Sequence, residues 1–191
     1  MEMQHSSRRT LCAVAGAGIL LAMVVLMRVE GRVWWCGCRS LQPWIGGVWN
    51  EHTSQHLVDP YSFTHFSHGL ILWGLLCGTA RRILPAWRAV LAMGLEAAWE
   101  VAENSPWIIE RYRTATADIG YSGDSILNAV GDLACCQLGV AFAARFSWKT
   151  SLAVLVLLEV VLVVWVRDSL ALNILMLACP IEAIREWQRP Q

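Results

Sequence analysis

The stretch Ala86–Ile108, AWRAVLAMGLEAAWEVAENSPWI, decides the fold class because it has the length of a membrane helix yet carries three carboxylates. Glu96, Glu100 and Glu103 are spaced four and then three residues apart, which places them on one face of a helix. A charge near the centre of a bilayer costs at least a few kcal/mol, so such residues usually face a bundle interior or a watery cavity. The pattern predicts a membrane helix whose polar face lines a functional site.

The composition of the 191-residue chain indicates the same class of protein. Apolar residues make up 56% of the chain and charged residues only 16%, whereas a soluble domain carries about a quarter charged residues. Fifteen basic residues balance fifteen acidic ones, and no zinc-finger spacing, phosphate loop or basic arm is present, so we expect no nucleic-acid partner. The chain is predicted to be an integral membrane protein, with membrane lipids as its partners.

Apolar segments along the chain predict an all-α, polytopic transmembrane helical bundle in which residues 1–191 form a single integral membrane domain. Five spans are predicted near residues 11–27, 63–80, 86–108, 124–146 and 150–166. A sixth, kinked span is predicted over 169–187, because a helix that continued through Pro180 would be about 28 Å long and could recross a bilayer. If the helix stops at Pro180, this segment is instead re-entrant or lies on the membrane surface.

The distribution of basic residues predicts how the spans are oriented in a bacterial inner membrane. Arginine and lysine lie near the N-terminus and after the second and fourth spans with few carboxylates, whereas the opposite loops mix both charges. The positive-inside rule therefore predicts a cytoplasmic N-terminus and an outer loop from Arg28 to about Ser62. A sixth span would return Arg185 and Arg189 to the cytoplasm, which favours its existence. No small-x-small cleavage site follows residues 11–27, so an uncleaved anchor is favoured over a signal peptide.

Three predicted spans direct polar residues at one volume near their outer ends. Besides the three glutamates, these residues are His65, His68, Asp124, Asn128 and Asp132. Imidazoles and carboxylates are ligands of zinc, manganese and iron, and helical bundles hold such metals on inward-facing side chains. The predicted catalytic residues are Glu100, Glu103 and Asp124, and the predicted ligands of a divalent metal, zinc or manganese, are His65, His68, Glu100 and Asp132. The same residues could instead hydrogen-bond across the bundle and fix its packing.

A pair of arginines follows the third span on its outer side. Guanidinium groups at headgroup height suit the phosphate of a lipid or of a lipid-linked carrier, because they can bind it in a bidentate manner. We therefore predict that Arg111 and Arg113, together with Asn128, bind substrate. The alternative is a charged loop in which the arginines pair with Glu110 and Asp118.

The outer loop contains a Cys-Gly-Cys sequence that could close a strained disulfide or supply two soft metal ligands. Because no second cysteine pair lies near Cys36 and Cys38, we expect no metal role for them. His52 and His56, in the same loop, are expected to be ordinary loop residues, and the alternative is that they cap the polar site. Glu159, in the middle of the fifth span, is not assigned to the site by its spacing.

Several blocks of the sequence resemble a single bacterial family. They are His65-x-x-His68-Gly69, Glu96-x-x-x-Glu100-x-x-Glu103-Asn104-Ser105-Pro106, Arg111-Tyr112-Arg113, Gly123-Asp124-Ser125-x-x-Asn128 and Pro180-Ile181-Glu182-Ala183-Ile184-Arg185. These motifs are similar to those of uncharacterised protein family 0314, from about Trp34 to Trp187. The resemblance implies a multi-pass inner-membrane protein and brings no established activity.

A second similarity is to VanZ-like membrane proteins, through the order His, Glu, Arg and an Asp-x-x-x-Asn-x-x-Gly stripe. His65 or His68, Glu100 or Glu103, Arg113, Asp124, Asn128 and Gly131 fill this order. The additional carboxylates Glu96 and Asp132 depart from the pattern. This similarity implies substrates of the cell envelope or substrates linked to lipids.

Three functions fit these features. The first is an enzyme that acts on a lipid or a lipid-linked phosphate at the outer leaflet. The second is a transporter or ligand-binding protein whose carboxylates bind a cation or carry protons, and the third is a non-catalytic envelope scaffold. The enzyme ranks first because the polar stripes lie at one side and no inverted repeat typical of transporters is evident. The sequence leaves the identity of a metal and the oligomeric state open.

Overall fold

The protein is all-helical, as its apolar segments predict. The computed structural model describes residues 2–48, 50–118 and 120–189, with side chains from residue 7 onward. Over these residues no strand forms, and the only pairing of that kind is an isolated bridge between Trp44 and Val58. The eight helices of this part of the chain are α1 Glu2–Val29, α2 Ser62–Thr79, α3 Pro85–Glu103, α4 Pro106–Ala115, α5 Ile126–Arg145, α6 Trp148–Val166, α7 Leu170–Ala178 and α8 Glu182–Gln188.

Among the described residues, three helices are long and apolar enough to cross a membrane. They are Ser7–Val29 of α1, all of α5 and all of α6, which correspond to the first, fourth and fifth predicted spans. Only 11% of the α1 segment and 17% of the α6 segment are buried within the protein, as suits helices that face lipid. α2 and α3, the second and third predicted spans, have similar lengths but carry the polar residues of the site, so composition alone does not mark them as spans.

The regular helix of the third span, 86–108, ends at Asn104-Ser105-Pro106, as the proline predicts, and a second helix follows. α3 ends at Glu103, and α4 starts at Pro106, whose missing N–H costs nothing at the first position of a helix. The side chain of Ser105 caps α4 by accepting a hydrogen bond from a backbone N–H. The break turns the buried Asn104 toward the start of α5, where its side-chain amide donates a hydrogen bond to Asp124.

α2 and α5 form the most extensive helix pair of the fold. A Cβ at Gly69 would overlap the backbone of α5 at Cys136, and a Cβ at Gly139 would overlap the carbonyl of Phe66 on α2. Small residues let two helix backbones approach closely, which is a common way for helices to associate in membranes. The contact places His65, one turn before Gly69, directly against α5.

An apolar core joins α1, α3 and α5 beside the polar site. Its buried members are Met23, Met27, Ala97, Ile126, Ala129 and Leu133. Burying one large apolar side chain stabilises a fold by about 1.5–3 kcal/mol. This core therefore holds the third helix against the fifth and fixes the distance between their polar faces.

The C-terminal segment folds back on itself and corrects the prediction of a kinked sixth span. α7 ends before Pro180, which has no N–H to continue the helix, and α8 starts separately at Glu182. The side-chain amide of Gln188, the last residue of α8, donates a hydrogen bond to Asp168, just before α7, at 3.1 Å. The two helices therefore form a hairpin that returns to the end at which it began.

The hairpin also changes the placement of the C-terminal arginines. Arg185 donates to the backbone carbonyl of Thr114, at the end of α4, at 3.1 Å. Arg185 and Arg189 thus lie at the same end of the protein as the start of α7, and not at the opposite end to which a sixth span would carry them.

Candidate functional site

A cavity of about 260 Å³ lies where the ends of α2, α3 and α5 meet α4 and α7. The carboxylates that line it are Glu103, Asp118, Asp124, Asp132 and Asp168. Two imidazoles, those of His65 and His68, also line it. The apolar part of the wall consists of Trp99, Leu170, Ile174 and Leu177. The cavity thus combines a dense group of ionisable side chains with an apolar surface, and no arginine or lysine of the described chain lines it.

The two histidines of α2 meet the glutamates of α3, as the helical spacing predicts. Nδ1 of His65 lies 2.7 Å from Oε1 of Glu96, and Nδ1 of His68 lies 3.0 Å from the same oxygen. Glu96 is buried, so two imidazoles share one carboxylate that is out of contact with solvent. Through its other nitrogen, Nε2, His65 faces Oδ2 of Asp132 on α5 at 3.9 Å. His65 is therefore the residue on which the polar faces of three helices converge.

Glu100 is a second glutamate of α3 beside His65. Its side chain is fully buried, and within the described chain neither of its oxygens receives a hydrogen bond. Nδ1 of His65 lies 3.1 Å from Oε1 of Glu100, but this nitrogen carries at most one hydrogen and Glu96 is closer. In Glu103, Oε1 accepts from the hydroxyl of Tyr112 at 2.8 Å, while Oε2 has no partner among the described residues. An unpartnered buried polar group costs about 1–3 kcal/mol, and a charged one more, so these carboxylates need a proton or a cation.

Two overlapping sets of side chains bring their ligand atoms close enough together for one metal ion. In each set, one ligand atom of every residue lies within 4.8 Å of the others; the sets are His65 with Glu100 and Glu103, and His65 with His68 and Glu96. Three protein ligands and an open position are typical of catalytic zinc sites. The predicted ligand Asp132 belongs to neither set, and its Oδ1 accepts from the hydroxyl of Ser62 at 2.5 Å.

Asp124 is held in place through both of its carboxylate oxygens. Oδ2 accepts from the amide of Asn104 at 2.7 Å, and Oδ1 accepts from the hydroxyl of Tyr121 at 3.0 Å. The backbone N–H of Asp124 donates back to Asn104 at 2.6 Å. Asp124 therefore borders the cavity in a fixed orientation, and its catalytic role stays a prediction.

The three residues predicted to bind substrate are not among those that line the cavity. Nε of Arg111 donates to a backbone carbonyl of α7 at 2.8 Å, and Nε of Arg113 donates to a carbonyl in the loop before α5 at 2.6 Å. The amide of Asn128 is buried and donates to the carbonyl of His56 at 2.7 Å. The first bond joins two helices, and the other two each join a helix to a loop. A role in substrate binding stays a prediction for all three residues.

Three tyrosines that sequence reasoning missed also line the cavity, Tyr61, Tyr112 and Tyr121. Burial, and then the nearby carboxylates, raise the pKa of each phenol well above its ordinary value. The hydroxyls therefore stay protonated and act as hydrogen-bond donors. The position of Tyr121, three residues before Asp124, was an available signal for one of them.

Asp168 is a fourth residue that sequence reasoning missed. It is 4% exposed and accepts hydrogen bonds from the backbone of Ser169 and from the side chains of Tyr61, Asn173 and Gln188. Burial raises the pKa of Asp168 to about 7, although these hydrogen bonds oppose the shift. Asp168 thereby joins the α7–α8 hairpin to the start of α2 and closes one side of the cavity.

The loop before α2 supplies another wall, and its backbone is constrained there. Ser54, which lines the cavity, has a φ of 59°, a left-handed conformation that is uncommon for a residue with a side chain. Its N–H donates to the side chain of Asp59 at 2.7 Å, and its carbonyl accepts from the N–H of Ser125 at 2.9 Å. Such a conformation costs about 1–3 kcal/mol and persists where the surroundings hold it, often at functional sites.

Glu159 lies outside the cavity and has a structural partner. Its two carboxylate oxygens accept from the backbone N–H groups of Leu170 and Ala171, at 3.2 and 3.0 Å. These are the first residues of α7, whose N–H groups have no partner within the helix. Glu159 therefore caps α7 from the neighbouring helix.

Comparisons with known proteins place the chain in a family. Residues 26–190 match the family model described as "Protein of unknown function (DUF2585)". A UPF0314 protein of Rhizobium etli is 42% identical over 175 residues, which cover 92% of this chain and 90% of that protein. A UPF0314 protein of Sphingopyxis alaskensis is 42% identical over 183 residues, which cover 93% of each chain. No solved structure is significantly similar to this chain.

The comparisons confirm the resemblance that the histidine, glutamate and aspartate motifs predict. The similarity to VanZ-like proteins is not among these findings and stays a prediction. The relatives are bacterial and cover nearly the whole chain, and three helices of the fold are candidate membrane spans. The chain is therefore a helical membrane protein that belongs to the UPF0314 family of bacterial proteins of unknown function.

Proposed function

We propose that this chain is a metal-dependent enzyme of the bacterial inner membrane that acts on a lipid or a lipid-linked phosphate at the outer leaflet. The observation that carries the proposal is the buried carboxylate of Glu100, which has no hydrogen-bond donor in the described part of the chain and has His65 and Glu103 beside it. A divalent cation held by these three residues would supply the missing partner for both glutamates.

A bound zinc or manganese ion would supply a Lewis acid and a water of lowered pKa, the chemistry that hydrolyses esters and phosphates. His65, Glu100 and Glu103 would hold the ion. His68, through Glu96, would orient the imidazole of His65, because Glu96 is hydrogen-bonded to both rings. Tyr112 and Tyr121 stay protonated and would orient Glu103 and Asp124 through the hydrogen bonds that they donate to these carboxylates.

The shape and the lining of the cavity favour an amphipathic substrate. Leu170, Ile174 and Leu177 of α7 offer apolar surface within reach of the carboxylates, as an acyl or prenyl chain requires. Because no arginine of the described chain lines the cavity, a phosphate group would bind through the cation. The predicted contacts of a phosphate with Arg111 and Arg113 have less support than the proposed binding of a metal ion.

The proposed topology is multi-pass, with the N-terminus in the cytoplasm. α2 and α3 are packed against the candidate span α5 and bury their polar residues against it, so we propose that they also lie within the membrane. The cavity then opens at the outer side, together with the loop before α2 and the α7–α8 hairpin.

The test compares Glu100→Gln with Glu110→Gln, an exposed glutamate on α4, in detergent-purified protein. We expect the wild type and Glu110→Gln to hold zinc or manganese between the helices and to release phosphate from phosphatidic acid or polyprenyl diphosphate. Glu100→Gln should lose this metal and at least about 100-fold of the activity, since losing a ligand should exceed the 10–100-fold effect of outer-shell partners. Retention of both metal and turnover in folded Glu100→Gln would contradict the proposal, as would a folded wild type that binds neither ion.

A further inference from the structure

The loop between α1 and α2 gathers two cysteines and two histidines into a second cluster, separate from the cavity. Sγ of Cys36 lies 3.3 Å from Nδ1 of His52, and Sγ of Cys38 lies 3.6 Å from Nε2 of His56. One ligand atom from each of the four residues lies within 4.8 Å of the others. The cluster is in a polar loop outside the three candidate membrane spans.

These distances fit a tetrahedral metal centre. Zinc is bound at about 2.3 Å by sulfur and at about 2.0–2.1 Å by imidazole nitrogen, so the sulfur and nitrogen atoms of a tetrahedral site lie about 3.5 Å apart. The two sulfur–nitrogen separations of 3.3 and 3.6 Å have this length. Two thiolates and two imidazoles form a complete zinc ligand set, in contrast to the three-ligand sets between the helices.

The surroundings of the four residues also prepare them to bind a metal. Nδ1 of His56 lies 2.6 Å from the carbonyl of Gln42, so the ring hydrogen is on Nδ1 and the lone pair of Nε2 faces Cys38. The backbone N–H of Cys38 donates to Sγ of Cys36 at 3.4 Å, and the N–H of Ser40 donates to Sγ of Cys38 at 3.4 Å. These two N–H groups fix the positions of the sulfur atoms that face the histidines.

We propose that Cys36, Cys38, His52 and His56 bind a zinc ion in a closed, structural site. The site would fix the segment between the two histidines, which forms part of the cavity wall. Within this segment, Ser54 lines the cavity, and the carbonyl of His56 accepts from Asn128 of α5. Zinc would thus hold the outer loop against the start of α5 and keep the wall in place.

The test uses the full chain in detergent, purified without chelator, with cobalt(II) as the spectroscopic probe. Among the candidate metal-binding sets of the described residues, only the loop set contains sulfur, so thiolate-to-cobalt charge-transfer absorption reports this site and not the one between the helices. We expect this absorption in the wild type, its complete loss in Cys36→Ser/Cys38→Ser, and its retention in Cys12→Ser/Cys179→Ser, a control that also removes two thiols. Glu100→Gln should keep the absorption, so failure of the proposed enzyme site and failure of the loop site are distinguishable.

Zinc analysis of the same samples provides the second measurement. We expect one sulfur-dependent zinc per wild-type chain, and a lower melting temperature after chelation. A folded wild type without thiolate-to-cobalt absorption after loading would overturn the proposal, as would a Cys36–Cys38 disulfide found by non-reducing mass spectrometry. If the double variant does not fold, His52→Ala replaces it, because His52 is only half-buried and its loss should weaken cobalt binding by at least about tenfold.

Discussion

The loop cluster and the interhelical cluster use similar ligand chemistry but differ in how their polar atoms are satisfied. In the loop, four ligand atoms face one another, and the backbone supplies donors to both sulfur atoms. Between the helices, Glu100 and one oxygen of Glu103 have no donor among the residues that the structure describes, and a cavity lies alongside. A complete and supported ligand set is suited to holding a loop, whereas an incomplete set next to a cavity is suited to binding and changing a substrate.

The two clusters also depend on different parts of the fold. The interhelical cluster is assembled from α2, α3 and α5, so it requires these helices to approach closely. The loop cluster is assembled within one connection and requires only that this connection fold locally. Changes in helix packing should therefore affect the first cluster and spare the second.

The largest effect is expected from Gly69→Ala, with Gly74→Ala on the same helix as its matched control. A Cβ at Gly69 would overlap the backbone of α5, whereas a Cβ at Gly74 meets nothing within 4 Å. Overpacking of this kind typically costs about 1–3 kcal/mol, and a backbone overlap should lie at the upper end of that range. We expect Gly69→Ala to lower the melting temperature in detergent and to abolish metal binding between the helices.

Gly74→Ala should keep the wild-type melting temperature or raise it slightly, because alanine is the better helix former by about 1 kcal/mol. In Gly69→Ala the thiolate-to-cobalt absorption of the loop should remain. If Gly69→Ala removed both metals, or neither, the two clusters would not depend on separate parts of the fold as the structure indicates.

The second effect is the pH dependence of the protein's stability that Asp168, in the cavity wall, contributes. Its pKa is raised from 3.8 to about 7 by burial, so the folded protein keeps a proton that the unfolded chain has released. This contribution to stability is complete below about pH 4 and is lost as the pH rises to about 7, at up to about 1.4 kcal/mol per pH unit. Asp168→Asn, which stays uncharged, should therefore gain melting temperature relative to the wild type between about pH 5 and pH 8.

The asparagine is compatible with the hydrogen bonds around this position. Its carbonyl can accept from Ser169 and Gln188, the hydroxyl of Tyr61 can accept instead of donating, and the amide of Asn173 can flip. The measurement is the difference between the two melting temperatures as a function of pH. A variant less stable than the wild type by the same amount at every pH would show that the four donors keep Asp168 ionised.

Much of the interhelical site could be predicted from the sequence because helical spacing alone decides which residues share a face. The spacing of Glu96, Glu100 and Glu103, and of His65 and His68, places them together wherever α2 and α3 pack. No such rule predicts where the side chains of Arg111 and Arg113 point. Their direction depends on the turn at Pro106 and on carbonyls of α7 and of the loop before α5, which the local sequence does not specify.

The α7–α8 hairpin and the loop cluster were missed for a related reason. Apolar length indicated a span over 169–187, but the bonds that turn the chain back run from Gln188 to Asp168 and from Arg185 to Thr114, across long separations in sequence. In the loop, the expectation of no metal role rested on the lack of a second cysteine pair. The His-x-x-x-His spacing lies within the usual range of zinc ligands and was the signal that could have found this cluster, although Cys-x-Cys is shorter than the usual cysteine spacing.

The smallest effect is expected from Glu159→Gln, and it separates the proposed enzyme from a transporter. A transporter with its polar site at one end needs a relay toward the other side, and Glu159 on α6 is the carboxylate that the sequence offers for it. In the structure Glu159 instead accepts from two backbone N–H groups of α7. Glutamine keeps one of the two acceptors, so the loss should be at most about 1 kcal/mol of stability. Turnover and metal content should stay within about twofold of wild type, because Glu159 touches neither cluster.

The contradicting outcome is a flux of protons or cations into vesicles that Glu159→Gln abolishes while the protein remains folded. Glu159 would then be a relay, and the protein would be a transporter instead of the proposed enzyme.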